Sequence, residues 1–419
     1  MAPSDLSSVR TRFPALARRG PDGRPFVFAD APGGTQVPDA VIEAIAGHLR
    51  SGVSNTHGAF VTSRETDALI DEAHRAGADL LGVAPDEVVF GANATSLLLH
   101  LSRSFARTIG PGDEVVVTRL DHDANVRPWV LAARDAGATV RWVDLRDDDV
   151  TLDVASFASA LGDRTALVAF TLASNAVGTI TPAAELARRA KEAGALVAVD
   201  GVHLAQHHAI DLAAIGADLV ATSPYKFFGP HLGMLGVRRE LLEAWTPYKL
   251  RPATDEDPGR WETGTQSHEA LAGTVAAIGY LAEVGRAHGS PADGSRRAAI
   301  VAAFDAIAAH ERDLARRFLD GAATIDGLRL FGIADASRLD ERTPTFAVRL
   351  GDRHPLRISS TLGDRGIFTW DGHYYAIELF DRLGLLDAGG AVRIGFCHYH
   401  AVDEVDRVLE ALDDVAAGR

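Results

Sequence analysis

Ala195-Leu-Val-Ala-Val-Asp200 and, further on, Asp218-Leu-Val-Ala-Thr-Ser-Pro-Tyr-Lys226-Phe-Phe-Gly229 decide how this chain folds. Each opens on a short apolar run and ends on polar or charged residues. Continuous apolar runs bounded by turn residues read as strands buried on both faces. Working outward, residues 87–90, 114–117, 139–143 and 166–171 repeat the pattern, and all read as buried strands. Helix-like periodicity fills the gaps: a segment running to Phe105, then residues 125–136 and 182–193. Strands alternating with helices predict an α/β fold, a mainly parallel sheet between helices, closed by the strand at 218–221. Ligands of such sheets sit beyond the carboxyl ends of the strands, where Asp200 and Lys226 fall.

After Trp261 the pattern changes. Residues 268–284 and 296–319 read as helices on either side of Gly289-Ser-Pro-Ala-Asp-Gly294. Short alternating strands follow at 328–331, 345–350 and 391–395, and an amphipathic helix at 402–415 ends the chain. The expected division is a large domain over 18–294 and a smaller α+β C-terminal domain over 295–419, joined by residues 1–17.

The 419 residues are 47% hydrophobic and 24% charged, with a formal net charge of −15. No basic block offsets that charge, so neither nucleic acid nor an anionic membrane is an expected partner. No apolar run approaches the ~18 residues of a membrane span, and the N-terminus lacks a signal-like apolar stretch, so a cytoplasmic location is expected. A single cysteine, Cys397, excludes an internal disulfide and a Cys-built zinc site, and no metal is expected. Its expected role is packing, as a small buried hydrophobe.

Of 42 Lys and Arg residues only three are lysines, so lysine chemistry has three candidates. Lys191 falls on the polar face of a helix and Lys249 in a polar loop; both are expected to be solvated. Lys226 differs, because it follows a buried strand among aromatics and glycine. Such surroundings hold an amine neutral often enough to form a Schiff base. Asp200 places a carboxylate at the same sheet edge, either capping a turn or keeping a pyridine nitrogen protonated. Gly91-Ala-Asn-Ala-Thr-Ser96 joins a strand to a helix and offers free N–H groups to a phosphate.

With these residues in order, the chain resembles the class V (fold type I) pyridoxal-phosphate enzymes, and the cysteine desulfurases among them. The resemblance rests on Asp200-Gly-Val-His203, on Ser223-Pro-Tyr-Lys226 with Gly229-Pro-His-Leu-Gly, and on Leu120-Asp-His122-Asp-Ala-Asn125. Ser174-Asn175 with Gly178-Thr179, and Arg260-Trp-Glu262-Thr-Gly264-Thr265, add to it. Phe28-Ala-Asp-Ala-Pro-Gly33-Gly-Thr-Gln-Val-Pro38 and Asn55-Thr-His57 resemble the family's substrate loops.

The resemblance implies that Lys226 carries pyridoxal 5'-phosphate as a Schiff base and moves the proton at the substrate Cα. It implies that Asp200 pairs with the pyridine nitrogen and that His122 stacks on the ring. Asn175 and His203 would bond the phenolic oxygen. Ala92 (through its amide), Asn93, Ser223 and Tyr225 would bind the phosphate, Tyr225 standing where a histidine is usual. Thr265 would reach the phosphate of a neighbouring subunit, making the protein a homodimer. Arg393 would clamp the substrate carboxylate, with Gly33, His57, Trp370 and His373 around the substrate.

The pattern fails at one place. Where the desulfurases carry a persulfide-forming cysteine, this chain reads Trp370-Asp-Gly-His373-Tyr-Tyr375-Ala, with Tyr375 at the cysteine position and Trp370 at that of an arginine. A phenol cannot carry a persulfide, and the altered wall points to a bulkier or less polar substrate side chain. The expected reaction is therefore β-elimination from a cysteine or cysteine S-conjugate, a C–S lyase activity. Alternatives are a class V aminotransferase, or an epimerase or decarboxylating deaminase, for which Tyr375 or His373 would be the acid on the far ring face. A non-catalytic cofactor-binding protein ranks last, since Lys226, Asp200, His122 and Arg393 all stand.

Overall fold

The computed structural model describes residues 6–20 and 23–419. Residues 1–5, part of the N-terminal segment assigned to the smaller domain, and residues 21–22 lie outside the described residues.

Seven strands form the large sheet: β1 (Val88–Gly91), β2 (Glu114–Thr118), β3 (Thr139–Val143), β4 (Thr165–Thr171), β5 (Leu196–Asp200), β6 (Leu219–Thr222) and β7 (Gly233–Val237), in spatial order β1-β7-β6-β5-β4-β2-β3. β6, β5, β4, β2 and β3 pair in parallel, while β7 is antiparallel to both its neighbours. The sheet thus does not close at 218–221, as the apolar pattern suggested. β7 reads Gly-Met-Leu-Gly-Val, and two glycines among five residues suppress the strand signal. Gly233 is required there: a Cβ on it would sit 2.3 Å from the backbone carbon of Asn93. β3 is a second correction, because it is an edge strand with alternate residues exposed rather than a buried one.

Four antiparallel strands make the small sheet, in order β10-β11-β9-β8: β8 (Leu328–Phe331), β9 (Thr345–Leu350), β10 (Trp370–Gly372) and β11 (Ala391–Gly395). Three of them have the expected bounds, although β9 and β11 are buried almost throughout instead of alternating. β10 is short and was not expected; it places Trp370 directly opposite Arg393.

Apolar side chains of the large sheet's two faces pack under separate helical layers, and a third cluster fills the space between the small sheet and its helices. The helix Arg296–Ala322 contributes Ile300, Phe304 and Ile307 to one cluster, then Leu314 and Phe318 to another. Phe318 stacks on Phe346 at 4.1 Å between centroids. Near the N-terminus, Phe13 sits among Phe228, Tyr280, His398 and Tyr399, and Arg10 pairs with Glu404 at 2.6 Å. No helix among the described residues is long and apolar enough to cross a membrane.

Candidate active site

The carboxyl ends of β4, β5 and β6 open on a cavity of about 460 Å³, within the size range of small-molecule sites. The small sheet covers its far side with Arg393 and residues 370–375. Gly33, Asn93, His122, Asn175, Asp200, His203, Ser223, Tyr225, Lys226, Trp370, His373, Tyr375 and Arg393 all line it. Residues spread over most of the chain thus converge on one place, the large sheet contributing strand ends and loops at one edge and the small sheet Trp370 and Arg393 from β10 and β11.

Lys226 ends the turn Pro224–Lys226 that follows β6. Its amine is buried and donates to the carbonyl of Pro32. Burial, with Arg393 adding repulsion, pulls its pKa down from 10.5 to about 7, against the attraction of Asp200 and Asp30. A lysine in this state is a nucleophile and base at neutral pH. The other two lysines lie off the cavity, partly exposed, each in an ion pair. Lys191 is bound to the carboxylate of Asp218, and Lys249 donates to Ala253 O at 3.0 Å and pairs with Asp255 at 2.8 Å.

Asp200, at the tip of β5, accepts from Val202 N at 2.8 Å. Burial raises its pKa to about 6, although Lys226 pulls the other way. Behind it lies Asp121, which accepts from Thr118 Oγ1 and, at 2.7 Å, from Asn125 Nδ2. Burial, reinforced by the charge of Asp200, lifts Asp121 to about 8, so at neutral pH the negative charge rests on Asp200. His122 is held neutral, its pKa lowered to about 4 by burial and by the two nearby cations, Lys226 and Arg393. Its Nδ1 accepts from Ala124 N at 3.0 Å, which leaves the proton on Nε2.

Arg393 donates from Nη1 to Asn175 O at 3.0 Å and lies 4.5 Å over the Tyr374 ring. Its Nε is buried without a partner, and so is Asn175 Oδ1, whose amide nitrogen is taken by Tyr374 O at 3.0 Å. His203 presents no free ring nitrogen to the cavity. Its Nε2 lies 3.2 Å from the hydroxyls of Thr343 and Thr345, and its Nδ1 3.3 Å from Gln206. At the opposite end, Asn93 caps the helix Ala94–Phe105 by accepting from Ser96 N at 2.8 Å, beside Ser223 and Tyr225.

Three expected residues do not line this cavity. Ala92 lies in the exposed turn before Asn93, and Thr265 is exposed. The His57 side chain is 89% exposed and bonded through its backbone to Asp67. Reading the sequence also missed two carboxylates and a tyrosine. Asp30 is half-buried near Lys226 and Arg393 with its pKa raised to about 6 by desolvation, Asp121 lies behind Asp200, and Tyr374 packs on Arg393. Asp30 and Asp121 sit inside the motifs Phe28–Pro38 and Leu120–Asn125, where an acid at an apolar flank was the available signal.

Cys397, the chain's single cysteine, is fully buried in the core, and burial raises its thiol pKa well above the usual value. Among the described residues no group of three or more His, Cys, Asp or Glu is placed to hold a metal.

Comparison with known proteins bears on this arrangement. The family model for aminotransferase class-V matches residues 27–408. The chain is 33% identical over 436 residues to a probable cysteine desulfurase 2 of Mycobacterium leprae, covering 99% of this chain and 98% of that one. It is 30% identical over 423 residues to a cysteine desulfurase of Dickeya dadantii, covering 97% and 96%. Among solved structures, the cysteine desulfurase CsdA of Escherichia coli superposes with a TM-score of 0.82 at 26% identity, covering 99% and 98%. The fold is also that of the apo cysteine desulfurase of Thermococcus onnurineus, with a TM-score of 0.85 at 24% identity, covering 97% and 99%.

Proposed function

The chain belongs to the aminotransferase class-V family and is a pyridoxal-phosphate-dependent enzyme of cysteine desulfurase type; from that premise we propose that it cleaves the Cβ–S bond of a cysteine S-conjugate. The products, with one water consumed, are a thiol, pyruvate and ammonia. The observation that carries this reading is the pairing of Lys226, Asp200, His122 and Arg393 in one cavity with the absence of a thiol from its lining. A persulfide route needs a cysteine able to reach substrate sulfur, and Cys397 is 0% exposed.

The residues present fit the cofactor. A buried carboxylate, Asp200, awaits a cationic ring nitrogen, and a helix N-terminus with Asn93, Ser223 and Tyr225 suits a phosphate. Bound there, pyridoxal phosphate supplies a carbonyl for an amine and a ring that draws electrons from the bonds at Cα. Lys226 would hold the cofactor through its amine and serve as the base for the proton at the substrate Cα. Asp200 would pair with the ring nitrogen, and neutral His122 would pack against the ring. Arg393 grips the substrate carboxylate with Nε and Nη2, a bidentate contact that fixes the orientation of Cα. Departure of the thiolate from Cβ then needs a proton but no nucleophile from the protein.

Thr265 and His57, exposed and off the cavity of their own chain, support a homodimer in which Thr265 reaches the partner's phosphate site. We read the enzyme as a cytoplasmic homodimer. The test is a rapid-scan absorbance experiment with holoenzyme against L-cysteine, S-methyl-L-cysteine and L-alanine. Pyruvate and free thiol, with the cofactor kept in its aldehyde form, are expected. Conversion to the pyridoxamine form without thiol release overturns the reading in favour of an aminotransferase.

A further inference from the structure

Trp370 and Arg393 face each other in register on β10 and β11, so their side chains leave the same side of the small sheet. The backbone of Gly33 is wedged against both. A Cβ there would lie 2.5 Å from Trp370 Nε1 and 3.4 Å from Arg393 Nη2. An amino acid whose carboxylate is held by Arg393 therefore lies alongside an indole. That indole is 52% exposed although it lines the cavity, so it is no part of the packed core.

Five residues on, the wall is aromatic again. Tyr374 and Tyr375 have φ of 50° and 60°, a left-handed conformation that bulky residues rarely adopt. Four hydrogen bonds impose it: Tyr374 Oη to Ala391 O, Asn175 Nδ2 to Tyr374 O at 3.0 Å, Asp123 N to Tyr375 O at 2.8 Å, and Tyr375 N to His373 Nδ1 at 3.2 Å. The outcome is a Tyr375 ring stacked on His122 at 5.4 Å, edged by His373 at 6.3 Å, and still 66% exposed at the cavity. Over-determined strain beside a ligand cavity marks a built feature rather than an accident of packing.

We propose that the substrate's side chain ends in a planar apolar group, an aryl ring carried on sulfur, which seats against the Trp370 and Tyr375 rings. Aromatic faces prefer offset or edge contacts with another ring and lose water on making them. A cationic side chain is disfavoured by the two buried cations, Lys226 and Arg393, on the same cavity. The sulfur rests on the C–S lyase reading; the ring does not.

The test uses holoenzyme and amino acids with no leaving group at Cβ, so binding is read apart from elimination. L-Homophenylalanine, which has the length of S-phenyl-L-cysteine, is titrated against L-2-aminobutyrate and L-lysine by the absorbance change of the bound cofactor. The ring should tighten binding about tenfold or more, and Trp370→Ala and Tyr375→Ala should each cut that ratio to about threefold or less. Unaltered absorbance and Tm of the ligand-free variants show that they are folded and loaded. Equal affinities for the three ligands, or a ratio unchanged in both variants, overturn the aromatic subsite. A ring preference without thiol release from S-phenyl-L-cysteine overturns the lyase reading and leaves the subsite standing. Thiol release at equal kcat/KM from S-methyl- and S-phenyl-L-cysteine does the reverse.

Discussion

Asp200→Asn should have opposite effects on the empty and the loaded protein. In the absence of cofactor the Asp200 carboxyl is buried and its pKa rises from 3.8 to about 6, burial outweighing the pull of Lys226. Between those two values the unfolded chain has released its proton while the folded protein keeps it, so stability falls as pH rises through that window. The gap corresponds to ~3 kcal/mol of destabilisation, fully present above about pH 6 and absent below about pH 4. Asparagine keeps the shape and still accepts from Val202 N, but carries no charge. With an unfolding entropy of about 2 cal/mol/K per residue, ~3 kcal/mol over this chain is a Tm gain of ~3 °C at pH 7. Bound cofactor should reverse the order: a cationic ring nitrogen would compensate the buried charge, so asparagine relieves no penalty there and instead loses a charge-assisted bond worth ~1.5–3 kcal/mol. The assay is calorimetry of cofactor-stripped and reloaded protein, native and variant, from pH 4 to 8. An apo variant no more stable than the native protein at pH 7, or a gap that does not open between pH 4 and 6, would refute the reasoning.

Lys226→Ala should abolish the visible absorbance of protein-bound cofactor; absorbance that survives unchanged removes Lys226 from the linkage. With its pKa near 7, Lys226 should capture pyridoxal phosphate in the apoenzyme at a rate that climbs from pH 6 to 8 and then levels. Stopped-flow absorbance checks this, and a rate still climbing at pH 10 would show an ordinary lysine. His122, neutral above about pH 4, should contribute no limb to the pH–rate profile between 5 and 9, so His122→Phe should lower the rate without moving either limb. Tyr375→Phe should leave elimination intact while Tyr375→Ala weakens binding of aryl substrates; loss of turnover in the phenylalanine variant would instead make the phenol an acid. Phe318→Ala, which empties a fully buried stack on Phe346, should cost about 3–5 kcal/mol by thermal unfolding.

Much of this protein was legible without coordinates, for identifiable reasons. The apolar runs ending at Thr171, Asp200 and Thr222 are strands buried along almost their whole length, and burial on both faces forces an unbroken apolar sequence. Their carboxyl ends must share an edge in a parallel sheet, so the convergence of Asp200 and Lys226 followed from order alone. β8 was legible because a half-buried antiparallel strand alternates with a period of two, whereas β9 and β11 are buried almost throughout and showed as short, largely apolar runs. β7 was not, since Gly233 answers to the close approach of Asn93, a contact remote in sequence.

Three lysines, one cysteine and the motif order were enough to indicate a pyridoxal-phosphate-dependent enzyme and a cavity lined by Lys226 and Tyr375 but not by Cys397. Tertiary structure decided the rest. It set Trp370 opposite Arg393 through a three-residue strand too short to leave a periodic signal. It drove Tyr374 and Tyr375 into left-handed backbone with hydrogen bonds from Asn175 and Asp123 and one from the Tyr374 hydroxyl to Ala391 O. It took the ring nitrogens of His203 for Thr343, Thr345 and Gln206, and left His57 and Thr265 facing outward. Residue type and local pattern determine which elements form, because they depend on neighbours a few positions away. Which lone pairs stay free, and which carboxylate keeps its proton, depends on groups brought together from across the chain, and only the folded arrangement specifies them.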